Sequence, residues 1–271
     1  MMTDDALAPV IAVMLILAVG VTVFAVYTST YLPGLKQQAE VEHGKEVESG
    51  FTRFSSDIDN AVASGKPDIT YSEQIPLGGG DILVNSIKSS GTVRVRNESL
   101  GTITINGSLN SSVSIPPIPL SLITYSYTPE GNFWVNQSYD WEHGYINVSR
   151  GTRSTPLQYD SMDDPGLNTT VNTFADCLIS HDDDKSLQII RIVSGADNVS
   201  SSNGIARLDL TTRDVTADVL GPGFSNMVQN ISFNYVPSQP GDPFQSRLTD
   251  KLPLGYNNVS VKVIEITVGV K

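Results

Sequence analysis

Side chains that usually carry out chemistry are few and widely spaced in this chain of 271 residues. Its three histidines are His43, His143 and His181, and no two of them have the spacing of a metal-ligand pair. The sequence also lacks an HExxH motif, paired cysteines, a P-loop and a GxSxG nucleophile elbow. We therefore predict a non-enzymatic protein without catalytic residues, a metal site or a cofactor.

Two acidic runs hold the strongest candidate metal ligands, because carboxylate oxygens bind Ca²⁺. They contain Asp160, Asp163 and Asp164 in "DSMDDPG", and Asp182, Asp183 and Asp184 in "SHDDDKS". Neither run has the glycine and the distal glutamate of an EF-hand loop. Solvated turns are the favoured interpretation, and calcium binding is the alternative. The Gly-rich "LGGGD" at 77–81 indicates a flexible loop rather than a phosphate site, because no strand-to-helix context follows it.

Aromatic residues are concentrated between positions 125 and 145, where they suit either a carbohydrate-stacking surface or a core. They are Tyr125, Tyr127, Trp134, Tyr139, Trp141 and Tyr145. Their strand-like spacing favours the core. The paired carboxylates of a glycoside hydrolase have no fixed spacing in sequence, so the sequence does not exclude them. No particular pair is indicated, and an anchored hydrolase is therefore the least favoured function.

Asparagine sequons for N-glycosylation are more frequent than chance predicts. The nine sites are Asn97, Asn106, Asn110, Asn136, Asn147, Asn168, Asn198, Asn230 and Asn258. A random order of the chain, which has 17 asparagines and 52 serines and threonines, would give about three such sites. An Asn- and Ser-rich β-protein is the alternative explanation. We expect a glycosylated head outside the cytoplasm, with Asn97 in a hairpin turn and Asn230 on a polar strand face.

Charge and cysteine content exclude further classes. The formal net charge is −12 and no basic cluster is present, which argues against a nucleic-acid partner. Cys177 is the single cysteine, so an intrachain disulfide is impossible. It lies between apolar residues, and we expect a buried, unreactive thiol rather than a redox site.

The N-terminal segment has no charged residue from Ala6 to Leu35. The 22 residues from Ala6 to Tyr27 would span about 30 Å as a helix, which matches the hydrocarbon core of a membrane. A removable secretory signal has a basic start and a shorter apolar stretch, whereas this chain starts with the acidic "MMTDD". We therefore expect the apolar helix to stay in the mature protein.

The stretch "DDALAPVIAVMLILAVGVTVFAVY" resembles the class III signal and hydrophobic helix of archaeal type IV pilins and archaellin-like proteins. The resemblance covers about 30 residues. It implies that Asp5 and Ala6 end a leader that a membrane prepilin peptidase cuts between Ala6 and Leu7. The retained helix would anchor the subunit in lipid and then pack in a filament core. An unprocessed membrane anchor is the alternative.

Hydrophobic periodicity predicts four segments: a leader at 1–6, a hydrophobic helix at 7–32, an amphipathic helix at 35–65 and a β-rich domain at 67–271. Pro33-Gly34 should end or kink the first helix, with a short break before the second, and Gly65 with Pro67 should end the second. The apolar stripe of the second helix consists of Val41, Val47, Phe51, Phe54, Ile58 and Val62.

The remainder of the chain reads as eight to eleven strands separated by Gly, Pro, Asn and Asp turns. "GTVRVRNESLGTITING" predicts a hairpin, and "SLQIIRIVSG" with "GIARLDLTT" predicts a second strand pair. The C-terminal "NVSVKVIEITVGV" shifts its apolar phase after Val263, which indicates a bulge or a strand buried on both faces. In this half only "DPFQSRLTDKL" predicts a helix. The expected fold is α+β, with a mainly antiparallel, β-sandwich-like head.

The favoured function is an archaeal cell-surface protein: a pilin-like subunit or an adhesin whose partners are membrane lipid, prepilin peptidase and, in a filament, copies of itself. The alternative is a monomeric membrane-anchored ectodomain that binds a ligand or a cell-envelope component. Both place the head outside the cell.

Overall fold

The computed structural model describes residues 7–79, 89–107, 116–132, 136–182, 186–221, 231–251, 254–256 and 260–271. The helices in these ranges are α1 (Leu7–Val26), α2 (Leu32–Ser64), α3 (Pro165–Leu178), α4 (Thr216–Leu220) and α5 (Pro243–Lys251). The first strands are β1 (Thr70–Pro76), β2 (Ser90–Gly107), β3 (Ile118–Glu130), β4 (Gln137–Glu142), β5 (Tyr145–Arg150) and β6 (Arg153–Pro156). The others are β7 (Ile179–Asp182), β8 (Ser186–Ser194), β9 (Val199–Ser202), β10 (Ile205–Asp214), β11 (Ile231–Pro237), β12 (Leu254–Tyr256) and β13 (Ser260–Val270).

The strands form two sheets. One has the order β1-β10-β13-β8-β7, and the other has the order β12-β11-β2-β3-β4-β5-β6 with β9 attached to β2. Within the described ranges every pairing is antiparallel except that of β13 with β8. The two sheets touch where β3 meets β8, and α2 packs against strands of both. The α+β class with mainly antiparallel sheets is therefore confirmed.

The predicted break at Pro33-Gly34 is wrong, because α1 and α2 are joined without interruption of the helical backbone. A single π-helical turn, Tyr27–Tyr31, connects them, and the N–H of Leu32 donates to the carbonyl of Tyr27, five residues back. Proline has no N–H, and its ring clashes with the carbonyl four residues earlier in an α-helix. A wider turn just before Pro33 accommodates that ring without ending the helix.

The amphipathic stripe of α2 lies in the core as predicted, with one exception. Val47, Phe51, Phe54, Ile58 and Val62 are buried, whereas Val41, nearer α1, is 40% exposed. The helix ends at Gly65, whose φ of 52° is the left-handed conformation that glycine adopts without strain. The end of the helix therefore agrees with the sequence signal.

The aromatic residues of β3 and β4 pack on α2. The core interpretation is therefore correct for Tyr125, Tyr127, Tyr139 and Trp141, whereas Tyr145 on β5 is only partly buried. Tyr125 and Trp141 stack with ring centroids 5.3 Å apart, and Phe54 meets Tyr125 edge-on at 5.3 Å. Phe51 packs on Tyr139 at 5.8 Å. These rings are buried, so they do not form a carbohydrate-stacking surface. Trp134 lies outside the described residues.

The polar atoms of these rings bind α2. The Tyr125 hydroxyl donates to the backbone carbonyl of Phe51 at 3.1 Å, and the indole N–H of Trp141 donates to Oγ of Ser55 at 3.0 Å. The Tyr139 hydroxyl lies 3.1 Å from the carbonyl oxygen of Gly44. Because buried polar atoms are costly to leave unpaired, these contacts fix where the helix sits on the sheet.

Two predicted strand pairings are wrong. "GTVRVRNESLGTITING" lies in one long strand, β2, whose residues 90–103 pair with β3. A bulge between Ser99 and Gly101 lies where we predicted the turn. Gly101 has φ of 145°, which suits a bulge position. Strands β8 and β10 share a sheet but do not pair, because β13 lies between them.

The phase shift in β13 reflects a strand buried on both faces. Val263 and Ile264 are consecutive and both are fully buried, and the pairing with β8 runs through them without a bulge. Helix α4 covers part of this strand: Val215, which caps α4, donates its N–H to the carbonyl of Val263 at 3.0 Å.

Helix α5 confirms the helix predicted from "DPFQSRLTDKL", but α3 and α4 were missed. The α3 segment "PGLNTTVNTFADCL" contains three Thr and two Asn, residues of low helix propensity that favour strands and turns. Its N-terminal signal is nonetheless present: Asp164 accepts from the N–H of Gly166 at 2.7 Å, and Pro165 occupies the first turn.

We expect Ser55→Ala to lower the free energy of unfolding by about 1–3 kcal/mol, because it leaves the buried indole N–H of Trp141 without its acceptor. Ser56→Ala is the matched control: Ser56 is exposed on the same helix, and we expect a change within about 0.5 kcal/mol. Chemical unfolding of the detergent-solubilised full chain measures both. Equal effects of the two substitutions would contradict the role given to Ser55.

Candidate functional site

Helix α1 exposes its apolar side chains on every side. From Val10 to Val26 its large hydrophobic residues are 52–73% exposed. Its 20 residues extend about 30 Å, the thickness of the hydrocarbon core of a membrane. Within the described ranges, one continuous helix, Pro9–Ser64, has a stretch long and apolar enough to cross a membrane. An apolar surface of this extent is typical of a helix that contacts lipid or other apolar helices.

The junction between α1 and α2, Tyr27–Tyr31, has hydroxyl groups as its polar side-chain atoms. Thr28 donates to the carbonyl of Phe24 at 3.0 Å, and Thr30 donates to that of Val26 at 2.5 Å. These bonds return the hydroxyls to the helix backbone, which suits an apolar environment. Further along, Glu40 is the first buried residue of α2 and marks where the helix enters the head.

The sequons differ in their structural settings. Asn136, Asn168 and Asn198 are exposed, in a loop, in α3 and after β8 respectively. Asn97 is exposed but lies on β2 rather than in the predicted turn, and its side chain makes two hydrogen bonds to Ser194. The backbone of Asn106 lies in β2. Asn110, Asn230 and Asn258 lie outside the described residues.

Asn147 differs from the other described sequons because it is buried. Its side chain is on β5, and the residue is 6% exposed. Its amide N–H donates to Oε1 of Glu142 at 2.8 Å, and the same oxygen accepts from the Tyr145 hydroxyl at 2.9 Å. Attachment of a sugar to this nitrogen is incompatible with the folded environment.

A groove lies beside Asn136, between α2 and the β4–β5 hairpin. Its volume is about 630 Å³, and Lys45, Glu48, Gln137, Tyr139 and Arg150 are among its lining residues. Side chains along its wall form a chain of hydrogen bonds. Nε of Arg150 donates to Gln137 at 2.7 Å, Gln137 donates to the Tyr139 hydroxyl at 2.6 Å, and Tyr139 lies 3.2 Å from Glu48. Burial, together with the neighbouring Glu48, raises the pKa of Tyr139, so its hydroxyl stays protonated.

A smaller cavity, of about 280 Å³, lies between α2 and α3. Its lining includes Asp59, Val62, Phe174 and Cys177. Partial burial of the carboxyl group raises the pKa of Asp59 to about 6, although the residue as a whole is exposed at the surface. The pKa of the Cys177 thiol is also raised, by burial and then by nearby carboxylates, which disfavours the reactive thiolate. Cys177 is only half-buried, so the expected full burial is not met.

The histidines lie apart in the structure. His43 is buried with Nε2 3.1 Å from the Tyr127 hydroxyl, and burial lowers its pKa although Glu46 opposes the change. His143 lies 3.5 Å from Glu98 and stacks on Phe244, with ring centroids 4.2 Å apart. His181 is exposed. In the parts of the chain that are described, His, Cys, Asp and Glu side chains form no group that could hold a metal ion.

The acidic and Gly-rich motifs have local structural roles where they are described. Asp164 caps α3, which fits the interpretation of its run as a turn. Gly79 packs so closely on the ring of His43 that an added Cβ would lie 2.6 Å from it. Asp183 and Asp184 lie outside the described residues, as do Gly80 and Asp81.

Comparison of the chain with protein-family models, with curated proteins and with solved structures finds no significant match. The proposed function therefore rests on the structure of the chain itself.

Sequence reasoning missed both cavities. Glu48 and Tyr139 lie about 90 positions apart in the chain, and Asp59 and Cys177 lie further apart still. No local motif links residues that only the packing of α2 on the head brings together. The sequence singled out residues near each cavity, Asn136 at the groove and Asn168 and Cys177 at the smaller one, but gave no sign that they lie beside α2.

We expect N-glycans on Asn136, Asn168 and Asn198, whose side chains are exposed, and none on Asn147, whose amide is buried and hydrogen-bonded. Glycopeptide mass spectrometry of protein from its native host measures the occupancy of each site. A glycan on Asn147 at an occupancy like that of Asn198 would contradict the prediction.

We expect Asp59→Asn to stabilise the protein above pH 6 and to have no effect near pH 4. The pKa of Asp59 is about 6 in the folded state and 3.8 as its ordinary value, so the folded state binds more protons between these limits. Stability from this group therefore rises as pH falls through 6 and levels off below about 4.

Asparagine cannot ionise, so we expect the variant to melt about 1–3 °C higher at pH 7.5, an effect reduced by solvent screening of the carboxylate. Thermal unfolding of both proteins from pH 4 to 8 measures the difference, in which the contribution of His43 cancels. The control is Asp163→Asn, which removes an exposed carboxylate that does not line the cavity. A pH-independent difference would rule out the ionisation of Asp59 as its cause.

Proposed function

We propose that this chain is a non-enzymatic cell-surface protein, a pilin-like subunit or adhesin, whose helix α1 is embedded in the membrane and, on assembly, in a filament core. The observation that carries the proposal is the exposed apolar surface of α1. An isolated helix with such a surface requires apolar surroundings, and lipid and neighbouring helices both provide them.

Continuity between α1 and α2 supports a retained helix rather than a discarded signal. The two are joined through one π-helical turn, and α2 is part of the core of the head. Removal of a leader ahead of Leu7 would leave α1 and α2 joined, since the residues of both helices from Leu7 onward would be retained. We therefore propose cleavage by prepilin peptidase between Ala6 and Leu7.

Small residues on α1 support close contact with other helices. Ala12, Ala18 and Gly20 interrupt its large apolar side chains, and a Cβ added at Gly20 would meet nothing within 4 Å. Neighbouring backbones can approach closely at such positions. We also propose that the head is sandwich-like, because β3 of one sheet contacts β8 of the other.

The second candidate function is a monomeric anchored ectodomain that binds a ligand of the cell envelope. The groove beside Asn136 favours it, because its volume is within the range of about 300–1,000 Å³ that is typical of small-molecule sites. The two functions share the membrane helix and differ in self-assembly.

We expect the mature protein to be in the membrane fraction and to begin at Leu7. N-terminal sequencing of the purified protein measures this, and retention of Met1 would exclude peptidase processing. Ala6→Trp, which places a bulky residue at the expected cleavage site, should block processing, whereas Thr3→Ala should not.

Imaging of surface filaments in cells with and without the gene separates the two functions. Filaments that need this gene and contain its product support the pilin-like subunit. A protein that begins at Leu7 but never enters a filament supports the monomeric ectodomain.

A further inference from the structure

The groove beside Asn136 combines hydrogen-bond donors, acceptors and an apolar surface. Lys45 and Arg150 supply N–H donors, Glu48 supplies carboxylate oxygens, and the half-exposed Val41 contributes an apolar wall. Sugars present the matching chemistry, since each hydroxyl both donates and accepts and the ring carries C–H faces. The mixture therefore suits a saccharide better than a purely apolar ligand.

Asn136 itself forms part of the groove wall. It is exposed, and with Gln137 and Ser138 it forms a sequon at the start of β4. A sugar attached to its side chain would begin inside the groove. We propose that Asn136 carries an N-linked glycan whose first sugars lie in this groove and connect α2 to β4 and β5. This inference rests on the proposed location of the head outside the cytoplasm.

The attachment needs a lipid-linked sugar phosphate as donor. Nδ2 of Asn136 forms a bond to C1 of the first sugar while the bond from C1 to the phosphate oxygen breaks. The lipid phosphate leaves with that electron pair, and the amide nitrogen loses one proton. The exposed side chain of Asn136 permits this reaction, whereas that of the buried Asn147 does not.

Covalent attachment makes weak contacts sufficient for binding. A tethered ligand has an effective concentration of about millimolar, so a few hydrogen bonds keep it in place. The charges in the groove also favour a sugar. Lys45 and Arg150 outnumber Glu48 there, although the whole chain has a net charge of −12. Neutral and acidic sugars are compatible with this local excess of positive charge.

The position of the groove gives the glycan a mechanical role. The α2 residues that line it lie between 41 and 48, directly after Glu40, where the helix enters the head. On the other side, the groove is lined by residues of β4 and β5. A sugar chain that contacts both sides would reduce opening of the helix at the point where force from α1 reaches the head.

Hydrogen exchange on protein from its native host tests the proposal. Asn136→Gln and Ser138→Ala both remove the sequon, and the second leaves the asparagine in place. We expect the amides of residues 44–48 to exchange about tenfold faster in both variants than in the wild-type protein. Asn198→Gln removes an exposed sequon outside the groove and should leave these amides unchanged.

A double-mutant comparison identifies the groove contacts. Lys45→Ala should accelerate exchange at 44–48 in the glycosylated protein and have little further effect on the Asn136→Gln background, because the two substitutions remove one interaction. Additive effects would overturn the proposal. So would an unmodified Asn136, or a glycan there whose loss changes no amide in α2.

These outcomes are separable from the test of the proposed function. If Asn198 carries a glycan and Asn136 does not, the groove proposal fails while the location outside the cytoplasm stands. If the protein begins at Met1 but loses protection on removal of the Asn136 sequon, pilin-type processing fails while the groove proposal stands.

Discussion

The packing of α2 on the aromatic face of β3 and β4 is the interaction on which the rest of the structure depends. Phe51 and Phe54 fill the space between the helix and the sheet, and the hydrophobic effect drives their burial. Burial alone would allow the helix to slide or rotate. The hydrogen bonds from Tyr125 and Trp141 to positions 51 and 55 of the helix specify one arrangement.

This arrangement explains how one helix serves two environments. Its C-terminal part presents a stripe to a protein core, and its N-terminal part is apolar all round, as is typical of a helix within lipid or among other helices. The π-helical turn at Tyr27–Tyr31 allows Pro33 to lie between the two parts. Because the backbone stays helical there, the direction of α1 is set by the contacts of α2 with the sheets.

The sequence was sufficient for features that depend on periodicity over many residues. The apolar helix, the stripe of α2 and the end at Gly65 all follow from spacing and residue type. The continuous join between the two helices could not be predicted in this way. Pro33 is compatible with either a break or a π-helical turn, and the tertiary packing of α2 decides between them. The same holds for α3, whose cap signals compete with a composition that favours strands.

Pairing between strands was the least predictable part. The turn-like "NESLG" forms a bulge because β3 pairs with β2 on both sides of it. No local feature of the sequence indicates that pairing. The separation of β8 from β10 depends on β13, more than 45 residues further along the chain than the end of β10. The groove and the Asp59 cavity were unpredictable for the same reason, since each is assembled by contacts between distant segments.

The central place of β13 has a consequence for biosynthesis. Both neighbours of β13, β10 and β8, precede it in the chain, so the five-stranded sheet stays in two halves until residues 260–270 have been made. Synthesis proceeds from the N-terminus, and long-range pairing is slow to form. In the membrane-anchored protein that we propose, helix α1 is therefore available to the membrane well before the sheet can close, and the head completes its folding as a tethered chain.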